Sequence, residues 1–430
     1  MNRTVEGGKT LLVDGPVSVS LVSGKVEVFG SMMGRRRVVV REGKRMPFTV
    51  KETATFDISV GENANLMEVD GDTIPSSWVK AFEELLDPQV KPFTVMVIGT
   101  VDSGKTSFCT FLINKLLNEG EKVVILDGDS GQSDIGPPST VSYVLVTKPV
   151  MDLFDLRAKD AFFVGSTSPS RATSKTVEGL VSLKTEILSN NPDFVIVNTD
   201  GWVEGEDAVN YKLQLVEKLN PDITFCLRQR DELASLLDAL GKYRKFVIDS
   251  PSAIRQRSRE KRRSLRELGY VKYLRDFKVI SIPMNWLKIE DNELIGLGRN
   301  FGSIKQAGQI YEVLGMKPLH IAELQDKICI VIGKRRWIDP YRIEMLEEIM
   351  KKKVVVMHKG EEEGLLMALY DARRKWLGIG LLGEIDYKRK VMKICTSVSK
   401  GISMVGLGDL KLDENFKETP ISTEKASSNL

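Results

Sequence analysis

The chain has 430 residues, a formal net charge of +3, four cysteines and two histidines. The cysteines form no C-x-x-C pair and histidines are scarce, which argues against a zinc site, a disulfide framework and histidine-based catalysis. Because the overall charge is almost neutral, any binding of nucleic acid must come from local basic patches. A polar N-terminus and the lack of an apolar run of about eighteen residues predict an intracellular protein, cytoplasmic if prokaryotic.

The first 88 residues have the pattern of a β domain. Val17–Val22 and Lys25–Phe29 lie on either side of a Ser-Gly pair, which predicts a hairpin at Ser23-Gly24. Thr53–Val60 alternates apolar and polar residues, as a half-buried strand does. This region is therefore expected to form a small sheet.

A phosphate-binding loop follows the first strand pattern of the central region. An apolar run, Val95–Ile98, breaks at Gly99 into G-x-x-x-x-G-K-T, and apolar residues then recur at helical spacing as far as Gly120. The glycines allow the backbone to fold around a phosphate chain, Lys105 reaches the β- and γ-phosphates, and the Thr106 hydroxyl binds Mg²⁺. A chance match in a turn is the alternative, but the flanking strand and helix patterns argue against it. We expect nucleotide contacts from Gly99, Thr100, Val101, Asp102, Ser103, Gly104, Lys105, Thr106 and Ser107.

Two aspartates follow the next strand pattern, Lys122–Leu126. The rules for a strand–helix–strand unit predict that this strand and Val95–Ile98 form a parallel pair. Asp127 and Asp129 would then lie at the carboxyl edge of the sheet, beside the phosphate loop. One carboxylate can hold Mg²⁺, a role we give to Asp127, and the other can accept a proton from an attacking hydroxyl. A solvated turn is the alternative, because Asp and Gly are common turn residues.

Two further strand patterns end in polar residues. Asp193–Val197 precedes Asn198–Trp202, in which Asp200 competes for the metal role because it too follows an apolar strand. Asp222–Leu227 precedes Arg-Gln-Arg-Asp, whereas a guanine-specific switch carries Asn/Thr-Lys-x-Asp at such a strand end. The lack of that signature favours ATP over GTP.

The densest charge lies in Arg255–Arg266, which holds seven basic residues and one acidic residue. Such a run is typical of a solvated face or of a nucleic-acid footprint. Beside a phosphate loop, a third interpretation is a mobile lid that closes over the transferring phosphoryl group. A helical conformation would place five arginines within one broad face: Arg255, Arg259, Arg262, Arg263 and Arg266.

The region from about residue 284 returns to strand patterns. A helix pattern covers Tyr341–Lys351, and the polar tail after Asp413 is expected to be loose. Glycines within one of the strand patterns predict a bulge or bend. The strand patterns are Ile328–Ile332, Val354–Met357, Trp376–Leu382 with Gly378, Gly380 and the following Gly383, and Val391–Ser397.

These patterns predict an α/β fold with three parts. A central P-loop NTPase domain with a parallel sheet, residues 89–283, would carry the phosphate loop and the arginine segment. Small β-rich domains would flank it, residues 1–88 at the N-terminal side and residues 284–430, with the loose tail, at the C-terminal side.

Five features, taken in order, resemble the polyribonucleotide 5′-hydroxyl kinases, which include the RNA kinase of the pre-mRNA 3′-end and tRNA-splicing machinery and its ribosomal-RNA-processing relatives. The phosphate loop carries the family's aspartate at Asp102, and Asp129–Gln132 matches its D-x-x-Q element. Gly165–Pro169 is similar to the family's substrate clasp. The chain looks like a prokaryotic type of member. The remaining matches are N-T-x-G-W at Asn198–Trp202 and a lid with Arg257, Arg262 and Arg266.

The resemblance implies roles for the matching residues. Asp129 would be the base at the attacking 5′-hydroxyl, Lys105 would stabilise the phosphates, and Arg262 and Arg266 would lie at the transferring phosphoryl group. Trp202 would stack on a base of the acceptor; an ordinary core aromatic is the alternative. The family leaves the position of Asp200 variable, so no role is carried to it, and Ser170–Ala172 departs from the splicing branch. The implied substrate contacts are Gln132, Thr167, Trp202 and Arg257.

The leading hypothesis is an ATP- and Mg²⁺-dependent kinase that transfers the γ-phosphate to the 5′-hydroxyl of RNA, with single-stranded DNA as a second acceptor. No membrane association is expected, and the sequence does not identify a protein partner. One alternative is an ATP-binding scaffold in RNA processing or ribosome assembly without turnover, although the complete set of Lys105, Asp129 and lid arginines argues against it. The other is an ATPase switch, which leaves the lid and the N-T-x-G-W segment unexplained.

Overall fold

The chain folds as two units, residues 1–269 and residues 270–430, in a computed structural model that describes residues 1–86, 88, 90–290 and 304–420. The predicted three-part division, with boundaries near residues 88 and 283, stays a prediction. Among the described residues, no helix is both long enough and apolar enough to cross a membrane.

Alternating apolar residues form an antiparallel sheet at the start of the first unit. The alternation predicted for Thr53–Val60 is confirmed, because Ala54, Phe56 and Ile58 are buried while Asp57 is exposed. The strands are β1 (Asn2–Val5), β2 (Lys9–Asp14), β3 (Val17–Val28), β4 (Ser31–Met32), β5 (Val38–Val40), β6 (Arg45–Val60) and β7 (Asn65–Asp70). Their order is β4-β3-β6-β2-β7, with β1 paired to β6 and β5 paired to β3.

The predicted hairpin at Ser23-Gly24 is wrong. Strand β3 continues through both residues and pairs with β6 along its length, with register shifts around Ser23. Gly24 has a φ of 94°, and a Cβ atom there would lie 2.4 Å from the Thr53 carbonyl oxygen. The glycine therefore accommodates a bulge within one strand, because the apolar residues on both sides of it pack on the same sheet.

A second sheet carries a parallel core. Its strands are β8 (Phe93–Gly99), β9 (Val123–Gly128), β10 (Thr140–Val146), β11 (Asp160–Phe163), β12 (Phe194–Thr199), β13 (Ile223–Arg228) and β14 (Lys245–Asp249). Their order is β11-β10-β9-β12-β8-β13-β14, in which β10 runs antiparallel to both of its neighbours, β9 and β11. The helices of this region are α1 (Ser76–Glu83), α2 (Lys105–Asn118), α3 (Thr173–Leu188), α4 (Glu206–Leu219), α5 (Ala234–Ala239) and α6 (Arg259–Leu274). The α/β P-loop fold is confirmed, but the sheet is mixed at one edge.

The predicted pairing of the first two central strands is also wrong. Strands β8 and β9 run in the same direction, but β12 lies between them and pairs with both. Every residue of β12 is buried, as expected for a strand covered on both faces. This insertion brings the end of β12, at Asn198–Trp202, between the phosphate loop and the segment after β9.

The described residues of the second unit form two sheets. The larger has the order β15-β22-β21-β20-β23-β16, with β24 paired to β23, and the smaller has the order β17-β18-β19. The elements are β15 (Lys278–Pro283), β16 (Lys288–Glu290), α7 (Ile304–Leu314), β17 (His320–Glu323), β18 (Lys327–Ile332), α8 (Pro340–Met350), β19 (Lys353–His358), β20 (Leu365–Tyr370), β21 (Trp376–Asp386), β22 (Val391–Thr396), β23 (Met404–Leu412) and β24 (Glu418–Thr419).

The strand patterns and the helix predicted for this region are confirmed. The predicted bulge is confirmed too, because the register of β20 on β21 shifts opposite Gly378 and that of β21 on β22 shifts beside Gly383. The tail is partly ordered, since Glu418–Thr419 pairs with β23. The rest of the predicted loose tail, residues 421–430, lies outside the described residues.

Candidate active site

The phosphate loop joins the end of β8 to the start of α2. Asp102 has a φ of 56° and Gly104 a φ of 100°, so two left-handed residues curl the backbone just before the helix. Lys105 is buried, and its Nζ atom donates hydrogen bonds to the carbonyl oxygens of Gly99 (2.9 Å) and Thr100 (2.7 Å). Burial lowers the pKa of Lys105 to about 8. The loop thus presents a cation and a helix N-terminus, which together suit a phosphate chain.

A cavity of about 620 Å³ opens beside this loop. Among the described residues, its wall includes all the predicted site residues except Gly99, Thr100 and Asp127. Segments far apart in sequence therefore meet at one place. The predicted residues on the wall are Val101, Asp102, Ser103, Gly104, Lys105, Thr106, Ser107, Asp129, Gln132, Thr167, Trp202, Arg257, Arg262 and Arg266.

Asp129 lies on the wall with one carboxylate oxygen fixed. Its Oδ1 atom accepts hydrogen bonds from the backbone N–H groups of Gly131 (3.1 Å) and Gln132 (2.9 Å). Burial raises the pKa of Asp129, and the negative charge of Asp200 raises it further, while Lys105 opposes both effects. A carboxylate with a raised pKa is a better proton acceptor, so this residue is suited to act as a general base.

Asp127 occupies a different environment. Its Oδ2 atom accepts from the Ser133 hydroxyl (3.0 Å) and the Asp134 N–H (3.1 Å), and its Oδ1 atom accepts from the Asn198 amide (3.1 Å) and the Asp129 N–H (3.3 Å). Burial, with the nearby carboxylates of Asp129 and Asp134, raises the pKa of Asp127 to about 7. The structure thus does not bring Asp127 to the cavity, and its contacts suit a residue that holds the loop after β9 in place.

The arginine segment contacts the phosphate loop directly. The Arg257 guanidinium donates to Asp102 Oδ1 through Nε (2.7 Å) and Nη2 (2.6 Å), and the Arg257 N–H donates to Oδ2 (2.9 Å). The Arg262 guanidinium lies 3.5 Å from the same carboxylate and donates to the Arg257 carbonyl (2.7 Å). Helix α6 begins only at Arg259, so the helical condition is not met at Arg255, which does not share a helical face with the later arginines.

The D-x-x-Q loop lies against two neighbouring segments. The Gln132 side-chain amide donates to the Arg262 carbonyl at 3.2 Å. Gly131 approaches the clasp so closely that a Cβ atom there would lie 2.6 Å from the Thr167 carbonyl oxygen. The loop that carries the predicted base therefore contacts both the clasp and the lid.

Asp200 is the centre of a buried polar group beside the cavity. Its carboxylate accepts from the Trp202 N–H and the Tyr211 hydroxyl, each at 2.9 Å, and pairs with the Lys212 ammonium at 2.9 Å. The Lys212 ammonium also donates to the Asp200 carbonyl at 3.0 Å. The rings of Trp202 and Tyr211 are stacked, with centroids 5.8 Å apart and an interplanar angle of 27°. Asp200 thus orients the tryptophan, and its charge is offset by a fully buried lysine.

Sequence reasoning missed two cations of the site. Lys212 lies on the apolar face of α4 among Ala208, Leu215 and Leu219, and a lone lysine in such a pattern indicates a buried acidic partner. Arg41 lies on the cavity wall, pairs with Asp134 and Asp152 at 2.8 Å, and stacks over the Phe154 ring. No local pattern could identify Arg41, because its partners come from distant parts of the sequence.

Comparisons with known proteins show what this chain is similar to. Residues 99–276 match the family model described as the mRNA cleavage and polyadenylation factor CLP1 P-loop. The polyribonucleotide 5′-hydroxyl-kinase of Methanocaldococcus jannaschii is 29% identical over 350 residues, covering 80% of this chain and 94% of the relative. That of Pyrococcus abyssi is 26% identical over 360 residues, covering 82% and 97%.

A solved structure shares the fold. A chain from the wild-type Clp1p–Pcf11p complex superposes with a TM-score of 0.66 at 14% identity, covering 96% of this chain and 97% of the other. The phosphate loop, the family-model match and the similarity to archaeal kinases along most of the sequence agree. The chain is thus similar to archaeal polyribonucleotide 5′-hydroxyl-kinases along about 80% of its length, and residues 99–276 match the CLP1 P-loop family.

Proposed function

We propose that the protein transfers the γ-phosphate of ATP to the 5′-hydroxyl of RNA, with single-stranded DNA as a second acceptor. One observation carries the proposal: Lys105, Asp129, Arg262 and Trp202 line the same cavity. They supply a phosphate-binding cation, a partly buried carboxylate, a lid cation and an aromatic ring. The relatives named as RNA 5′-hydroxyl kinases support it.

The chemistry assigned to the cavity is an in-line phosphoryl transfer. Asp129 accepts the proton of the 5′-hydroxyl as its oxygen bonds to the γ-phosphorus and the bridging bond to the β-phosphate breaks. Lys105, Arg262 and Arg266 offset the charge that spreads over the phosphoryl oxygens. In this assignment the residues act mainly by position and charge, as is usual for phosphoryl transfer.

The nucleoside of ATP would lie along the apolar part of the wall. Leu12, Pro47 and Ile74 from the first-sheet region and Ile254 from the lid segment line the cavity together with Gly104. Apolar side chains beside a phosphate loop suit a purine ring, and a base held there leaves the phosphates at the start of α2.

The residues of the site fit Mg²⁺ only as a nucleotide-bound ion. In the part of the chain that the structure describes, no group of three or more His, Cys, Asp or Glu side chains could hold a metal. Mg²⁺ commonly takes one or two protein ligands together with phosphate oxygens and water. The Thr106 hydroxyl lines the cavity and would hold the ion together with phosphate oxygens and water, whereas Asp127 would support the loop. Bound there, Mg²⁺ supplies charge compensation for the β- and γ-phosphates.

The acceptor would enter between the clasp and Trp202. Thr167 and Ser168 line the cavity, and the half-buried Trp202 has its ring against Tyr211. An aromatic ring braced in this way can stack on any base, which is compatible with an enzyme that reads a chain end rather than a sequence. By contrast, the Arg257 guanidinium is paired with the Asp102 carboxylate, so Arg257 would hold the lid in place rather than bind the acceptor.

The test uses γ-labelled ATP, Mg²⁺ and two matched oligoribonucleotides, one with a 5′-hydroxyl and one already 5′-phosphorylated. We expect label only on the 5′-hydroxyl strand. Asp129→Asn should reduce transfer by about 10²- to 10⁴-fold while ATP still binds, because the substitution removes the base. Asp207→Asn, an exposed acid on α4, is the matched control and should keep full activity.

Other outcomes identify the competing functions. Phosphate released to water with neither strand labelled would identify an ATPase switch. ATP binding without any turnover would identify a scaffold. Near wild-type transfer by Asp129→Asn would show that another group is the base.

A further inference from the structure

Two aromatic side chains of the second unit, Trp337 and Tyr341, are largely exposed to solvent. Trp337 is 73% exposed and Tyr341 is 70% exposed, one just before α8 and the other at its second residue. Tryptophan is seldom exposed to this degree in a folded protein, since it contributes a large apolar area. The pair is therefore a candidate contact surface.

The backbone beneath these rings is held in place. The Arg336 N–H donates to the Gly333 carbonyl (2.9 Å), and the His358 ring donates to the Arg336 carbonyl (2.8 Å). Ile338 is buried in the core of the smaller sheet, and Asp339 caps α8 by accepting from the Tyr341 N–H at 3.1 Å. The aromatic rings are thus presented by a fixed backbone, which lowers the entropic cost of binding through them.

Cationic residues flank the two rings in the sequence. The segment reads Lys-Arg-Arg-Trp-Ile-Asp-Pro-Tyr-Arg, and the cationic side chains in it are exposed. Its one acid, Asp339, is the helix cap. We name this set the Trp337 surface: Lys334, Arg335, Arg336, Trp337, Tyr341 and Arg342.

We propose that the Trp337 surface binds a single-stranded stretch of the RNA, a second contact separate from the residues assigned to the reacting end. The proposal rests on the proposed function for the identity of the nucleic acid. Exposed aromatic rings among cations match the two parts of a single strand, because the bases stack and the phosphates pair with lysine and arginine.

A protein partner fits this surface less well. The apolar stripe does continue along α8 to Met345 and Ile349, each 44% exposed, with Glu344 and Glu348 next to them. Aromatic residues, Met and Arg are enriched in protein interfaces too, but four cations against one acid within residues 334–342 match the regular negative charge of a single strand. The charge favours a polyanion at that end.

The test measures RNA binding without turnover. The full-length chain is titrated into a fluorescent 5′-phosphorylated oligoribonucleotide in the absence of ATP, and anisotropy gives the Kd. Trp337→Ala should weaken binding by roughly 5- to 150-fold, as loss of a stacked base does. Trp286→Ala is the matched control, because Trp286 is 71% exposed in the same unit but lies outside the basic segment. It should leave the Kd unchanged.

The charged residues give a second readout. Replacing Arg335 and Arg336 together by Gln should flatten the slope of log Kd against log salt by about 1.4, which is about 0.7 for each lost phosphate contact on a single strand. Both substitutions are at exposed positions, so equal thermal unfolding of all variants checks that the fold is intact.

Two outcomes would overturn the inference. One is a Trp337→Ala variant that binds RNA as tightly as Trp286→Ala. The other is an unchanged Kd with a changed sedimentation coefficient, which would make this a contact between copies of the chain. Neither depends on kinase activity, so failure of the proposed function and failure of this inference are separately visible.

Discussion

The Asp102 carboxylate and the Arg257 guanidinium form a two-point contact, with Oδ1 lying 2.7 Å from Nε and 2.6 Å from Nη2. Asp102 belongs to the phosphate loop, and Arg257 lies two residues before α6. Arg262, the lid residue assigned to the phosphoryl group, is held by the same carboxylate and by the Arg257 carbonyl. The nucleotide loop and the lid are therefore mechanically connected through one buried acid.

We predict that Asp102→Asn loosens the lid. The variant loses the charge that holds Arg257 and Arg262, so amide hydrogen exchange in residues 251–258 should accelerate. Turnover should fall by about 10- to 100-fold, because a small misplacement of a catalytic group has an effect of that order. The KM for ATP should not rise, since the lost group is an anion next to the phosphates.

Lys261→Ala provides the control for the lid. Lys261 lies on α6, as Arg262 does, but it pairs with Glu42 rather than with Asp102. It should keep normal turnover and normal exchange. Unchanged exchange and unchanged turnover in Asp102→Asn would show that the contact does not order the lid.

The second prediction concerns pH. Burial lowers the pKa of Lys105 to about 8 in the nucleotide-free chain, so the ammonium is progressively lost above that pH. Because kcat/KM reports the free enzyme, kcat/KM for ATP should fall as the pH rises through about 8. In the complex the phosphates favour the charged form, so the alkaline limb of kcat should lie at higher pH.

The Lys105→Arg variant tests whether the alkaline limb comes from the titration of Lys105. Arginine stays protonated throughout this range, so whatever activity the variant retains should lack the limb near pH 8. If the limb persists in Lys105→Arg, a different group titrates there.

The sequence predicted which residues line the cavity better than it predicted the order of the strands. The phosphate loop, Asp129 and Trp202 could be found because each belongs to a short motif whose residues are contiguous. The position of β12 between β8 and β9 could not, since periodicity describes a strand but not its neighbours. Gly24 shows the same limit, because a glycine with positive φ serves a hairpin or a bulge equally well.

Contacts between distant segments account for what was missed at the site. Arg257 has the same charge in a lid that contacts substrate and in one that contacts Asp102, so composition cannot distinguish the two. Asp127 and Asp129 are two residues apart, yet one is enclosed by four donors and the other faces the cavity. Only the packing of the loop after β9 separates their roles.

The third prediction is a loss of acceptor affinity in Trp202→Ala. If the ring stacks on a base, the apparent affinity for the acceptor should fall by about 1 to 3 kcal/mol, while the KM for ATP stays constant. Trp202→Phe keeps an aromatic face and should recover most of the affinity. An unchanged acceptor KM in Trp202→Ala would mean that the ring only packs against Tyr211.

The last prediction tests whether Asp200 and Lys212 act as a unit. Asp200→Asn leaves the Lys212 ammonium buried without its anion, and Lys212→Met leaves the Asp200 carboxylate without its cation. Either change should lower the free energy of unfolding by about 3 to 5 kcal/mol, because an uncompensated buried charge is costly. The double variant has no charge to compensate and should recover most of that loss in a denaturant titration.

Kinetics with the RNA acceptor test whether the same two residues also position Trp202. Asp200 accepts a hydrogen bond from the Trp202 N–H, and the uncompensated charge left by either single variant should displace these groups, so both should raise the KM for the acceptor more than the KM for ATP. An asparagine at position 200 can still accept that bond through its side-chain oxygen, and the double variant should therefore regain acceptor binding as well as stability. Additive losses in the double variant would instead mean that the two residues support the fold independently, and that Trp202 is positioned by its stacking on Tyr211 alone.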